Sequence, residues 1–266
     1  MLIDTHCHLA SSKFGADELD GLVGRAIEAG VTRIIAIGTT LKDSLRNIDL
    51  AERYPGVFAA VGIHPTYVLE LPPTDESWLR ELRDMAAHPR VVAIGEIGLD
   101  FYHAPDHGSE EAYFARQAEV LRLQLELAAE LNYNVVVHQR ESYDATVAAI
   151  RPFNGKLRAV FHCFTGSAEQ AAPLIADGHL VSFTGITTFK SAADVQACAK
   201  GVASGSFMLE TDAPYLAPVP YRGKRCEPAY TQNTAEHIAN LRGLSIAELA
   251  SETTATAEAF FRFPEV

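Results

Sequence analysis

Long apolar runs are missing from this 266-residue chain, and none approaches the roughly 18 residues of a membrane-spanning helix. Basic residues are few: 22 Lys and Arg stand against 34 Asp and Glu, a formal charge of -12. A broadly acidic surface repels polyanions, which excludes a basic face that draws a duplex from a distance. Any nucleic-acid substrate must be held locally. Cysteine is limited to Cys7, Cys163, Cys198 and Cys226, with no CxxC pair and no zinc-finger spacing. The start, MLIDTHCHL, has neither a basic n-region nor an apolar h-region. Reduced thiols and a cytoplasmic location are therefore expected. Low-complexity tracts and linkers are absent too, so residues 1–266 are expected to form a single domain. At 48% apolar residues the composition excludes disorder.

What is present is alternation. Apolar, β-rich runs occur at Leu2–Asp4, Arg33–Ile37, Val57–Gly62, Val91–Gly95, Asn134–Val137, Ala159–Phe161, Leu180–Phe183 and Phe207–Glu210. Continuous runs such as VVAIG and NVVV suit parallel strands buried on both faces. Helical spacing lies between them: Leu19, Leu22, Val23, Ala26 and Ile27 precede a stop at Gly30, and the longest helix runs from Phe114 to Leu131. The tail from Thr231 to Phe261 reads as helical and closes the structure after the last strand. Strand–helix repetition with short connections predicts a TIM (β/α)8 barrel; a doubly wound open sheet is the second choice.

Six potential metal ligands sit at or just past the ends of these runs: His6, His8, Glu96, His138, His162 and Asp212. His6 and His8 point the same way from a strand while Cys7 points oppositely. Each alone could be a hydrogen-bonded core histidine or a capping carboxylate. Together they mark the C-terminal face of a barrel, where barrel active sites are built. Mixed imidazole and carboxylate ligands suit magnesium, manganese or zinc. Six ligands exceed the needs of one catalytic ion, so two divalent metal ions bridged by Glu96 are expected. Asp212 is expected to orient the attacking water and take its proton. His64, in GIHP, is expected to contact substrate, with a supporting role behind the ligands fitting equally. His88, His103, His107, His179 and His237 read as surface or packing residues without partners.

At these residues the chain resembles the TatD family of metal-dependent deoxyribonucleases, within the amidohydrolase-like barrels. The segments that carry the resemblance are IDTHCHL, GIHP, GEIGLDFY, VHQRES, FHCFTG, SFTGITTFK and LETDAPYLAP. It runs essentially end to end. It implies a TIM barrel, places the six ligands at the family's metal positions with Glu96 shared, and implies 3′ to 5′ removal of nucleotides from DNA ends. Some relatives instead act on aminoacyl-tRNA esters. Departures occur at Cys226, where the family usually has Asn, at Thr256, again in place of Asn, and at Glu141, where Asp is usual. Cys226 is expected to alter a substrate-side hydrogen bond.

An acidic enzyme that cuts a polyanion needs a cationic patch. Arg225 is the favoured phosphate clamp in the loop after the last strand, with Arg222 and Lys224 beside it and Arg140 and Lys190 elsewhere on the same face. Phe101, Tyr102 and Phe189 could stack bases or simply pack the pocket. The expected activity is hydrolysis of phosphodiester bonds at the end of single-stranded DNA by a monomer. The alternatives are a metal-dependent hydrolase of a carboxylic ester or amide, such as a D-aminoacyl-tRNA deacylase, and a non-catalytic metal-binding barrel. Glu96, standing where many amidohydrolases use a modified lysine, favours the phosphodiester. The intact ligand set speaks against the silent barrel.

Overall fold

The computed structural model describes residues 1–105 and 107–264. Eight strands form one parallel sheet in the order β1 to β8: Leu2–Cys7, Val31–Ile37, Val57–Val61, Val91–Asp100, Val135–Arg140, Ala159–Phe161, Leu180–Phe183 and Phe207–Leu209. Neighbours are consecutive throughout, which is the barrel topology expected from the alternation. The helices between them are α1 (Leu19–Glu28), α2 (Leu41–Arg53), α3 (Ser77–Ala86), α4 (Glu110–Glu130), α5 (Tyr143–Ile150), α6 (Ala168–Ala176) and α7 (Ala193–Gly201). The helical tail divides into α8 (Thr231–Arg242) and α9 (Ile246–Phe260). Gly243 stops α8 in a left-handed conformation (φ 68°), and a Ser245–Glu248 capping box starts α9.

The apolar side chains separate into two layers, as strands buried on both faces require. Ile3, Ile35, Ile37, Phe58, Val92, Val136, Val160, Leu180 and Met208 fill the barrel interior. Phe260, Phe261 and Phe263 plug its N-terminal end, where Arg262 donates its backbone N–H to the Val92 carbonyl at 3.2 Å. The alternate strand residues, among them Ala36, Ala59, Val61, Val137, Phe161 and Phe183, pack outward against the helices.

Between β8 and β1 closure is made by side chains and by the chain just past β8. Asp212 donates its N–H to the His6 carbonyl at 2.9 Å, and His8 donates to the Ala213 carbonyl at 2.8 Å. Buried Asp4 accepts the Thr211 N–H at 2.9 Å and the Thr211 hydroxyl at 2.6 Å. That seam fixes three of the expected ligands, His6, His8 and Asp212, relative to one another.

Strand β4 extends to Asp100, beyond the expected end at Gly95, so Glu96 lies within the strand. His6 and His138 likewise fall inside β1 and β5. Gly98 explains the long β4: at φ 150° it lies against His138 of β5, and a Cβ there would overlap the His138 carbonyl. Among the described residues no helix is long and apolar enough to cross a membrane.

Candidate metal centre

The two oxygens of Glu96, a side chain only 2% exposed, face two different sets of ligands. Its Oε2 lies 3.4 Å from His6 Nε2 and 3.7 Å from His8 Nε2. Asp212 Oδ1 joins this group at 3.6 Å from His6 Nε2 and 3.3 Å from His8 Nε2. Glu96 Oε1 lies 2.7 Å from His162 Nε2, 3.0 Å from His138 Nδ1 and 3.6 Å from His64 Nε2.

The residues fit divalent metal. His6 Nε2 and His8 Nε2 are 3.3 Å apart, yet only one of two neutral imidazoles could donate across that gap. Glu96 Oε2 is buried with no hydrogen-bond partner among the described residues, a costly arrangement for a carboxylate that a cation would relieve. Four tetrahedral ligands about 2.0–2.2 Å from one ion stand about 3.3–3.6 Å from each other. The five separations among His6, His8, Glu96 Oε2 and Asp212, from 3.3 to 3.7 Å, match that spacing.

The electrostatics agree with a dense array of charge. Burial alone would raise the Glu96 carboxyl, but His162, His64 and His6 hold it well below the usual carboxylate range. Burial opposes protonation of His162, yet the Glu96 and Glu210 carboxylates push it well above an ordinary imidazole. For His64, burial dominates and drives it down to about 3.

Two carboxylates lie behind ligand imidazoles, Asp100 hydrogen-bonded to His138 and Glu210 near a His162 Nδ1 that has no hydrogen-bond partner among the described residues, and sequence reasoning assigned neither of them. Asp100 Oδ2 lies 3.0 Å from His138 Nε2, which directs the Nδ1 lone pair at the centre. Glu210 Oε1 lies 3.5 Å from His162 Nδ1, while Glu210 itself accepts the Cys163 N–H at 2.6 Å and the Ser182 hydroxyl at 2.5 Å. The available signal was a second carboxylate inside GEIGLD and inside LETD.

The expected substrate residues are distributed unevenly. His64 sits inside the cluster, where its Nδ1 accepts the Thr66 backbone N–H at 3.2 Å and lies 2.7 Å from the Thr66 hydroxyl, so the neutral ring carries its proton on Nε2, which faces Glu96 at 3.6 Å as a donor. Arg140 lies at the C-terminal end of β5 and stacks over the Tyr102 ring at 3.7 Å, with no carboxylate partner among the described residues. Arg225 is committed elsewhere: it forms an ion pair with Glu18 at 2.8 Å and bonds the Lys13 carbonyl at 2.7 Å. Arg222 stacks over Phe189 at 4.3 Å.

Lys13, not singled out from sequence, holds its Nζ 4.0 Å over the Tyr215 ring, and that ring lies 6.1 Å from His8. Cys226 is fully buried and donates its backbone N–H to the Pro214 carbonyl at 3.1 Å, so its thiol is packed inside rather than presented to substrate. Three histidines expected to lack partners have them. His103 pairs with Asp100 at 2.8 Å, His88 with Glu52 at 3.1 Å, and His179 with Asn154 at 3.0 Å.

Comparison with known proteins points the same way. The family model described as "TatD related DNase" matches residues 3–262. An uncharacterized metal-dependent hydrolase of Bacillus subtilis, YabD, is 36% identical over 98% of this chain and 99% of its own. The 3′-5′ ssDNA/RNA exonuclease TatD of Escherichia fergusonii is 34% identical over 98% of each chain. Among solved structures, the TatD homolog YJJV of Escherichia coli superimposes with a TM-score of 0.88 at 28% identity, covering 99% of this chain and 98% of that one.

Proposed function

The chain belongs to the TatD-related DNase family of metal-dependent hydrolases, and on that premise we propose that it removes nucleotides from the 3′ end of single-stranded DNA. The observation that carries the reading is the division of Glu96, one oxygen toward His6, His8 and Asp212 and the other toward His138 and His162. A bridging carboxylate between two ligand sets suits a pair of divalent ions, Mg, Mn or Zn. When bound, such ions lower the pKa of water and polarise a phosphoryl oxygen.

The chain's own groups supply the rest. Asp212, whose side chain is 14% exposed, can orient a water and accept its proton. Asp100 keeps His138 aimed at the centre. His64 contributes a neutral imidazole with its N–H on Nε2, suited to a substrate contact. Lys13, Arg140 and Arg222 each rest on an aromatic ring at the mouth of the barrel. Those pairs combine a phosphate-seeking charge with a base-stacking face, which suits a strand end on an otherwise acidic protein. A monomer located in the cytoplasm completes the proposal, the location supported by four unpaired thiols.

The test is incubation of 5′-labelled single-stranded DNA with Mg²⁺ or Mn²⁺, beside metal-free and Asp212→Asn controls. Stepwise shortening from the 3′ end, absent from both controls, is the expected result. DNA left intact by folded, metal-loaded protein refutes the substrate assignment and directs the search to aminoacyl esters.

A further inference from the structure

Asp100 is fully buried, and its carboxylate accepts four hydrogen bonds, which fills its lone-pair sites. Oδ1 takes the backbone N–H groups of Tyr102 at 3.0 Å and His103 at 2.9 Å. Oδ2 takes two imidazoles, His138 Nε2 at 3.0 Å and His103 Nδ1 at 2.8 Å. His103 thus grips both oxygens, one with its backbone and one with its side chain. Its own ring is 50% exposed and packs edge-on against Tyr102 at 5.0 Å.

The other carboxylate that backs a ligand has no such route outward. Glu210 is sealed among Ser182, Cys163 and His162, all reached from inside the fold. Among the described residues, Asp100 is the carboxylate behind a ligand imidazole that has a half-exposed ring, His103, as its outer partner.

We propose that His103 is a positioning residue for the metal centre, acting through Asp100 to hold His138 with its proton on Nε2 and its Nδ1 lone pair free for the ion. The inference rests on the metal reading above. The physical reason is competition. Without the His103 ring, water reaches Oδ2 of Asp100 and takes up the lone pair that the ring fills. The carboxylate, still held at Oδ1, then shares Oδ2 with exchanging water in place of a fixed ring N–H, and its hold on His138 Nε2 weakens. His103 needs only its N–H for this task, because the neighbouring backbone N–H groups already hold Oδ1. An Asn at the same position presents an amide N–H at about the place of Nδ1.

The experiment measures Mn²⁺ binding by full-length wild-type protein, His103→Leu and His103→Asn, using calorimetry with electron paramagnetic resonance, and records the melting temperature of each. Loss of a group behind a metal-binding histidine typically weakens binding by about 10- to 100-fold. For His103→Leu we expect a loss near the lower end, about 10-fold, in one class of Mn²⁺ site, with melting little changed. His103→Asn is expected to recover affinity to within about threefold of wild type, since it keeps the donor. Wild-type affinity in His103→Leu overturns the proposal while leaving the metal centre intact. Equal losses in the Leu and Asn variants overturn it as well, because the donor would then not be what matters. A wild-type protein that binds no Mn²⁺ removes the metal reading itself, and this inference with it.

Discussion

Gly62 offers a perturbation that reaches the centre without touching a ligand. It follows β3 directly beside the Gly95–Glu96 peptide, and a Cβ there would meet Gly95 C at 2.8 Å, Gly95 O at 3.0 Å and Glu96 N at 3.1 Å. Ordinary contact begins near 3.4 Å, so in Gly62→Ala the peptide must retreat by roughly 0.6 Å, three times the tolerance of about 0.2 Å on a metal–ligand distance. The obstructing atoms are backbone in a closed sheet, which cannot swing aside as a side chain tip can.

Overpacking of this kind costs about 1–3 kcal/mol. At about 2–4 °C per kcal/mol for a domain of this size, melting should fall by roughly 2–12 °C. Displacing Glu96 should weaken Mn²⁺ binding by at least about 10-fold, as loss of a supporting contact does. Gly24→Ala is the control, because nothing lies within 4 Å of its Cβ on α1; it should stabilise by about 0.4–1 kcal/mol. Calorimetric melting and Mn²⁺ titration read both effects. Unchanged melting and affinity in Gly62→Ala would show that Glu96 is not set by the β3–β4 approach.

Burial raises the Asp4 carboxyl from 3.8 to about 8 in the metal-free protein, against the bonds from Thr211 and His6 that lower it. Between those values the folded protein retains a proton that the unfolded chain has released, so stability falls as pH rises from about 4 to about 8. Asp4→Asn, which mimics the protonated acid, should flatten that slope in melts of metal-free protein at pH 5 and pH 9; an equal slope in both proteins refutes the assignment. Lys13→Ala should raise KM for single-stranded DNA and reduce the salt slope of log kcat/KM by about 0.7, the loss of one phosphate contact. Lys156→Ala, in the connection leading into β6, should leave the slope alone. A slope unchanged by Lys13→Ala removes Lys13 from the substrate path.

The barrel was legible because its strands are written as continuous Val, Ile and Ala runs, and because His6 and His8 share a face by simple alternation. Glu96 stood out as a carboxylate at the end of an apolar run. What sequence reading missed depends on partners distant in the chain. The expected strand ended at Gly95, which left Asp100 beyond it; β4 instead runs to Asp100, with Gly98 packed against His138. Arg225 looked free in a basic loop, but its partner Glu18 is 207 residues away. His103 looked like a lone surface histidine because a three-residue separation in a loop does not reveal a shared carboxylate. Lys13 follows the His6–His8 pair by only a few residues, yet its place over Tyr215 joins opposite ends of the chain.

Anomalous diffraction from crystals soaked in Mn²⁺ tests the central claim most directly. Two peaks are expected, one among His6, His8, Glu96 and Asp212, and one among Glu96, His138 and His162, with Glu96 between them. A single peak that leaves one oxygen of Glu96 without an ion, or peaks away from these residues, would contradict it.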